Sequence, residues 1–235
     1  PKQSMLIYLY ENISWEKAMI YSWKKYKHDQ VIAYAHSSIR FWDLRYFHSP
    51  NYYNRTNVKE YTPSLIGVNG NLAKRSLLKG GCPRKMIIEL EALRYKYLNF
   101  IERRPITENC NLNSKNIKIL FIGDYVHSNN KYMLHLLKKL LSKKQFYNHE
   151  IIIKPHPSTP INEKYISGLN FKFSEKNLDI LSHNVDLAIA SSLTTASIDI
   201  NYLGLPILII LNGATLNMTP VIENEYSIYI KTFED

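Results

Sequence analysis

The chain of 235 residues holds only two cysteines, Cys82 and Cys110. They form neither a C-x-x-C pair nor a metal-ligand spacing, which argues against a disulfide framework and a structural zinc site. Glycine is also scarce, with eight residues. Gly67, Gly70, Gly80 and Gly81 fall as turns and a helix C-cap rather than as G-x-G-x-x-G, so a dinucleotide fingerprint is absent. No D-x-D carboxylate pair occurs, and no metal site is read from the sequence. No apolar run approaches the ~18 residues that span a bilayer, and no signal-peptide pattern opens the chain. The expected location is therefore cytoplasmic. Pro1 rather than methionine comes first, in what reads as the middle of a fold, so an amino-terminal part is expected to be missing.

Acidic residues are the scarcer charge: 20 Asp and Glu against 30 Lys and Arg, a formal net charge of +10. The isoelectric point is about 9.4. Such an excess favours anionic partners, namely sugar nucleotides, anionic lipid surfaces or nucleic acid, without choosing among them. The many Lys, Asn, Ile and Tyr residues suggest an AT-rich genome, which inflates the basic count by itself. Hydrophobic content of 45% places the chain among globular proteins, long enough for one large domain or two small ones.

What is present concentrates between Glu150 and Pro206. The apolar run Ile151, Ile152, Ile153 stops in Lys154, Pro155, His156 and Pro157. Proline ends a strand and stiffens a loop, so His156 is held out where it can donate to a phosphate or act as a general acid, or bond a neighbouring carbonyl. A second run, Val185 to Ala190, ends in Ser191 and Ser192, with Thr194 and Thr195 behind them and a helix-like segment after. Hydroxyls and free N–H groups at a helix start bind anions, and they also make an ordinary N-cap. In an open parallel sheet, ligands sit outside the carboxyl ends of strands, where both turns lie.

Together, KPHP after a buried strand and ASS-x-TTAS-x-D-x-x-x-x-G-x-P further on resemble the carboxyl-terminal domain of GT-B glycosyltransferases. The likeness is greatest to the surface-carbohydrate (O-antigen, capsule, lipopolysaccharide) enzymes and to bacterial sialyl- and Kdo-transferases with HP and SS motifs. The resemblance implies that His156, Ser191 and Ser192 bind the nucleotide-sugar phosphate and that His156 serves as general acid. Lys154 and Thr194 stand in the same motifs as further donor-binding candidates. Asp199 lies where many such enzymes carry a ribose-binding glutamate one methylene longer, so its role is a ribose contact or a solvated helix aspartate.

Along the rest of the chain, Ser4 to Tyr10 reads as a strand, Ser14 as the N-cap of a helix from Trp15 to about Tyr26, and Val31 to Ala35 as a second strand. Glu11 and His36 then fall at strand ends. YEN-x-x-WE and AHSS resemble the end of the amino-terminal domain of the same transferases, where a glutamate and a histidine work as catalytic or acceptor-side groups. The aromatic, arginine-rich segment Phe41 to Tyr61 is a packed loop with an amphipathic helix, or a surface that stacks on bases, sugars or a membrane interface. PSLIGVNG, NLAKRSLLKGG and KMIIELEALRY read as strand, helix, and strand running into helix, and Arg103 to Asn116 as a linker. The second domain opens with strand Ile117 to Ile122, then Gly123 and Asp124 as contacts to substrate or turn residues, a polar loop to Asn130, and a helix near Tyr132 to Leu141. Pro206 to Leu211 reads as another strand; LNMTP after it resembles a loop of the same transferases, and the chain ends at Asp235, before the final helices expected of a full domain.

The expected fold is α/β and GT-B-like: two Rossmann-like domains with parallel sheets, residues 1–105 a partial acceptor-side domain and 106–235 the nucleotide-sugar-binding domain. The expected function is metal-independent transfer of a sugar from a nucleotide donor, CMP-linked acidic sugars included, to a glycan or lipid-linked glycan acceptor of the bacterial surface. No cofactor is expected, since the nucleotide sugar is a substrate. Weak association with anionic membrane at the inner face of the plasma membrane is expected, and no specific nucleic acid. Two other readings stand beside it: a glycerol-phosphate or sugar-phosphate transferase of teichoic-acid type, and a nonenzymatic basic module for RNA or anionic lipid.

Overall fold

The computed structural model describes residues 1–40, 42–49, 51–104, 117–142, 149–224 and 226–231. The chain folds as two compact units, Pro1–Tyr97 and Leu98–Asp235. The expected junction at 105/106 lies outside the described residues, as does most of the expected linker. Its first two residues pack within the second unit: Arg104 N donates to Leu203 O at 3.0 Å, and Arg103 Nε donates to Tyr202 O at 2.7 Å.

The first unit is a parallel sheet in the order β1 (Met5–Leu9), β2 (Gln30–Tyr34), β3 (Leu65–Val68), β4 (Ile87–Glu89). Between strands lie α1 (Ser14–Lys25), short 3-10 turns and α2 (Asn71–Lys79). Because the order runs one way across the sheet, right-handed crossovers put every connection on one face. The core follows: Tyr8, Tyr10, Val31, Ala33, Ile66 and Val68 pack with Ile20 of α1 and Ala73 and Leu77 of α2. On the other face of β1, Met5, Ile7 and Leu9 are 50%, 61% and 57% exposed.

Ser14 is the first residue of α1 and not its cap; Ile13 holds that position without a side-chain bond. The orphan amides of the turn before the helix are met instead by Glu16, whose buried carboxylate accepts from Glu11 N at 2.9 Å and from Asn12 N at 2.8 Å. Asn12 takes a φ of 55°, a left-handed conformation that asparagine tolerates. The aromatic segment forms 3-10 turns at Leu44–Tyr46, Tyr52–Asn54 and Val58–Tyr61 in place of the expected amphipathic helix. Its rings stack within the unit: His48 on Tyr52 at 3.9 Å and Tyr61 on Tyr21 of α1 at 5.5 Å. Beyond β4 the chain turns as a 3-10 helix, Leu93–Phe100.

The second unit contains β5 (Ile117–Ile122), α3 (His127–Leu141), β6 (His149–Lys154), β7 (Phe171–Phe173), α4 (Leu178–Ser182), β8 (Leu187–Ser191), α5 (Ala196–Tyr202), β9 (Ile207–Ile210) and β10 (Ser227–Ile230). Its parallel sheet is ordered β7-β6-β5-β8-β9-β10, the 3-2-1-4-5-6 winding of a Rossmann sheet. Both faces are covered, so the buried centres of β5, β6, β8 and β9 read as apolar runs. Phe121, Ile151, Ile153 and Ile189 meet Met133, Leu134 and Leu137 of α3, while Leu120, Ile152, Ala188 and Ile207 meet Leu181 of α4 and Ile200 of α5. The helix α3 begins earlier than its apolar stripe, taking in Asn129 and Asn130, which the sequence suggested as loop. No described helix is long and apolar enough to cross a membrane.

Candidate functional site

Winding reverses between β5 and β8, so the carboxyl ends of these strands flank the crevice where ligands bind in such sheets. Gly123 and Asp124 follow β5, and Ser191 ends β8. Asp124 is fully buried. Its carboxylate accepts from Val126 N at 2.8 Å, from Asn129 Nδ2 at 2.9 Å, and from the Ser191 hydroxyl. Its backbone is matched on both sides by one amide: Asp124 N donates to Asn130 Oδ1 at 2.7 Å, and Asn130 Nδ2 donates to Asp124 O at 2.8 Å. Asn212, just after β9, donates to Asn129 Oδ1 at 3.3 Å. This chain of bonds ties the ends of β5, β8 and β9 to the first turn of α3. Asp124 therefore reaches a ligand only through the groups it orients.

Gly123 is glycine for a packing reason. A Cβ there would stand 2.7 Å from His156 N and 3.0 Å from Pro155 Cα. Its own N–H donates to Lys154 O at 2.8 Å. The KPHP turn thus lies directly on the end of β5, and its backbone covers Gly123. His156 is half-buried beside the Tyr125 ring, with Ser158 Oγ 2.8 Å from Nδ1. Lys154 behaves otherwise than expected for a phosphate ligand. Its ammonium donates to the carbonyls of Glu175 and Lys176, at 3.3 and 2.8 Å, and fastens the loop after β7.

Ser191 and Ser192 correct the expected helix start. Both are buried, Ser191 is the last residue of β8, and α5 opens only at Ala196 with Thr195 in the cap position. The Ser191 oxygen accepts from Leu193 N at 3.2 Å while its proton goes to Asp124. Thr194 Oγ1 accepts from Ala196 N at 3.3 Å, and Asp199 is half-buried on α5. The helix is too short, at seven residues, to serve as an anion site by its dipole.

In the first unit Glu11 and His36 do meet, at the ends of β1 and β2, with His36 Nε2 3.4 Å from Glu11 Oε1. Sequence reasoning missed their third partner, Arg45, which pairs with Glu11 Oε2 and is itself gripped by the buried carboxylate of Asp43 through two bonds of 2.8 Å. Those bonds to Asp43 are the main cause that holds the guanidinium pKa above its ordinary value. Nearby, Tyr8, Tyr10, Glu16, His48, Tyr52 and Tyr53 line a small cleft. Tyr8 Oη is buried there with no hydrogen-bond partner among the described residues. Among the described residues no cluster of His, Cys, Asp and Glu could hold a metal ion.

No protein-family model matches the sequence, and no curated protein matches it. Solved structures match in fold. Anabaena Alr3699/HepE in complex with UDP is 13% identical, with 97% of this chain and 64% of that chain covered and a TM-score of 0.54. UDP-N-acetylglucosamine 2-epimerase from Rickettsia bellii is 18% identical, with 84% and 62% covered and a TM-score of 0.44. The accessory secretory protein 1, 2 and 3 structure of Streptococcus pneumoniae is 15% identical, with 97% and 43% covered and a TM-score of 0.46. The fold is GT-B-like: α/β, with two Rossmann-like units built on parallel sheets. The chain spans less than two thirds of the length of each of these structures.

Proposed function

We propose that the chain carries the donor-binding site of a GT-B glycosyltransferase, which moves a sugar from a nucleotide donor to a bacterial surface glycan. The observation that carries the reading is the KPHP turn lying on Gly123, next to the Asp124–Ser191 bond at the switch point of a Rossmann-ordered sheet. Ligands of such sheets bind there. The fold likeness to a protein whose structure contains UDP supports a nucleotide as the ligand.

In this reading His156 donates a hydrogen bond to the donor phosphate and offsets its charge as the bond to the sugar breaks. Ser192 and Thr194 flank the phosphate, Asp199 takes the ribose hydroxyls, and the Asp124 network holds the strand ends in place. In the first unit, the Glu11–His36 pair supplies a carboxylate and an imidazole for taking the proton of an acceptor hydroxyl, with Arg45 fixing the carboxylate. The donor is a UDP-linked sugar or a CMP-linked acidic sugar, and the acceptor a glycan or lipid-linked glycan of the O-antigen or capsule kind. No metal is needed, and the basic surface gives weak, salt-sensitive attraction to anionic membrane at its cytoplasmic face.

The test is thermal unfolding of the protein with UDP, CMP, GDP and their nucleosides. One nucleotide raises the midpoint while its nucleoside does so far less, and the gain disappears in His156→Ala. No shift with any nucleotide, or the same shift in His156→Ala, counts against the reading.

A further inference from the structure

Ser158 meets His156 in the turn that follows β6. Its hydroxyl lies 2.8 Å from His156 Nδ1, and its backbone N–H points at the same nitrogen across 3.3 Å. A hydroxyl donates or accepts, so the first contact alone leaves the ring proton undecided. The amide has no such freedom. It only donates, so Nδ1 presents its lone pair and the proton of the neutral ring sits on Nε2.

The turn that brings the two together is itself held. Thr159 N donates to His156 O at 2.9 Å, and Thr159 Oγ1 donates to Tyr125 O at 2.8 Å. The His156 ring stands edge-on to the Tyr125 ring, 6.1 Å between centroids. Pro155 and Pro157 fix φ on either side. We propose that Ser158 is a positioning residue: it locks His156 in the Nε2–H tautomer and so presents the ring to an anionic oxygen as a donor, not as a proton acceptor. The oxygen is one on the phosphate of a nucleoside mono- or diphosphate. That use of the tautomer rests on the donor-phosphate reading above, while the tautomer itself does not. Ser158 has no place in the HP and SS motifs and would pass as an ordinary turn residue.

The experiment has two arms. In the first, ¹⁵N-histidine-labelled full chain without ligand is studied by long-range ¹H–¹⁵N NMR. His156 is expected as Nε2–H, with the tautomer ratio falling about fivefold in Ser158→Ala, the worth of one neutral hydrogen bond, and recovering in Ser158→Thr. A ring protonated on Nδ1 alone, or a ratio unmoved by Ser158→Ala, overturns the proposal. In the second arm UDP is titrated calorimetrically. Ser158→Ala is expected to weaken UDP about fivefold, and to have no effect in a His156→Ala background. Loss that persists in that background means Ser158 touches the ligand itself, which also overturns the proposal. A wild-type chain that binds no UDP sinks the UDP-donor reading and leaves the first arm to decide the tautomer.

Discussion

Gly123→Ala tests whether the end of β5 and the KPHP turn are packed as one piece. The added Cβ would meet His156 N at 2.7 Å, Pro155 Cα at 3.0 Å and Lys154 O at 3.2 Å, all of them backbone atoms. Backbone cannot rotate aside as a side chain can, and the contact must open towards the ordinary ~3.5 Å. A shift of roughly 0.8 Å would stretch the Gly123–Lys154 bond, now 2.8 Å, beyond its ordinary range. Overpacking costs about 1–3 kcal/mol and the weakened bond about 1 more, so the expected loss is about 2–4 kcal/mol in urea unfolding. His156 moves with the turn, and UDP affinity should fall tenfold or more. Gly213→Ala is the control, since nothing lies within 4 Å of its added Cβ, and its stability should stay within about 0.5 kcal/mol. A Gly123→Ala protein as stable as that control would refute the packing argument.

Three further outcomes follow from buried polar groups. Asp124→Ala leaves Val126 N–H, the Asn129 amide and the Ser191 hydroxyl without their acceptor in a fully buried site, so urea unfolding should show a loss of about 3–5 kcal/mol, with Asp124→Asn recovering only part. A loss under about 1 kcal/mol in Asp124→Ala would contradict the network. Tyr8→Phe removes a buried hydroxyl with no partner among the described residues, and stability should hold or rise by about 1 kcal/mol; a clear loss would mean the hydroxyl is engaged. Burial pushes the Tyr46 phenol up to about 12, and raises Tyr8, Tyr10 and Tyr53 as well, desolvation being the largest cause in each. Folded values above the unfolded ~10 mean stability is whole below pH ~10 and is lost as pH rises towards 12. Near-ultraviolet absorbance should therefore show these tyrosines ionising together with unfolding, and a gradual titration of a folded chain would contradict it.

The central strands were legible because a sheet buried on both faces needs unbroken apolar runs, and Ile119 to Ile122 is such a run. The short strands Phe171–Phe173 and Ser227–Ile230 carry too few residues to stand out. The start of α3 was hidden because asparagine reads as loop, whereas Asn129 and Asn130 are spent on Asp124. Ser191 misled in the opposite sense: a hydroxyl before a helix reads as a cap, but three-dimensional pairing with Asp124 claims it. Sequence placed Glu11 and His36 at adjacent strand ends, yet nothing in RFWDLRYF marks Arg45 as their partner, because that contact depends on the fold of the loop. Lys154 sits inside the motif but bonds the loop after β7, a contact no spacing rule reveals.

The most direct measurement for the central claim is a map of amide chemical-shift changes on adding UDP to ¹⁵N-labelled protein. Shifts should centre on Gly123, the turn from His156 to Thr159 and the stretch from Ser191 to Thr194, with uridine alone moving those amides far less. Shifts clustered elsewhere in the chain, or equal shifts with uridine, would contradict a phosphate site at the ends of β5, β6 and β8.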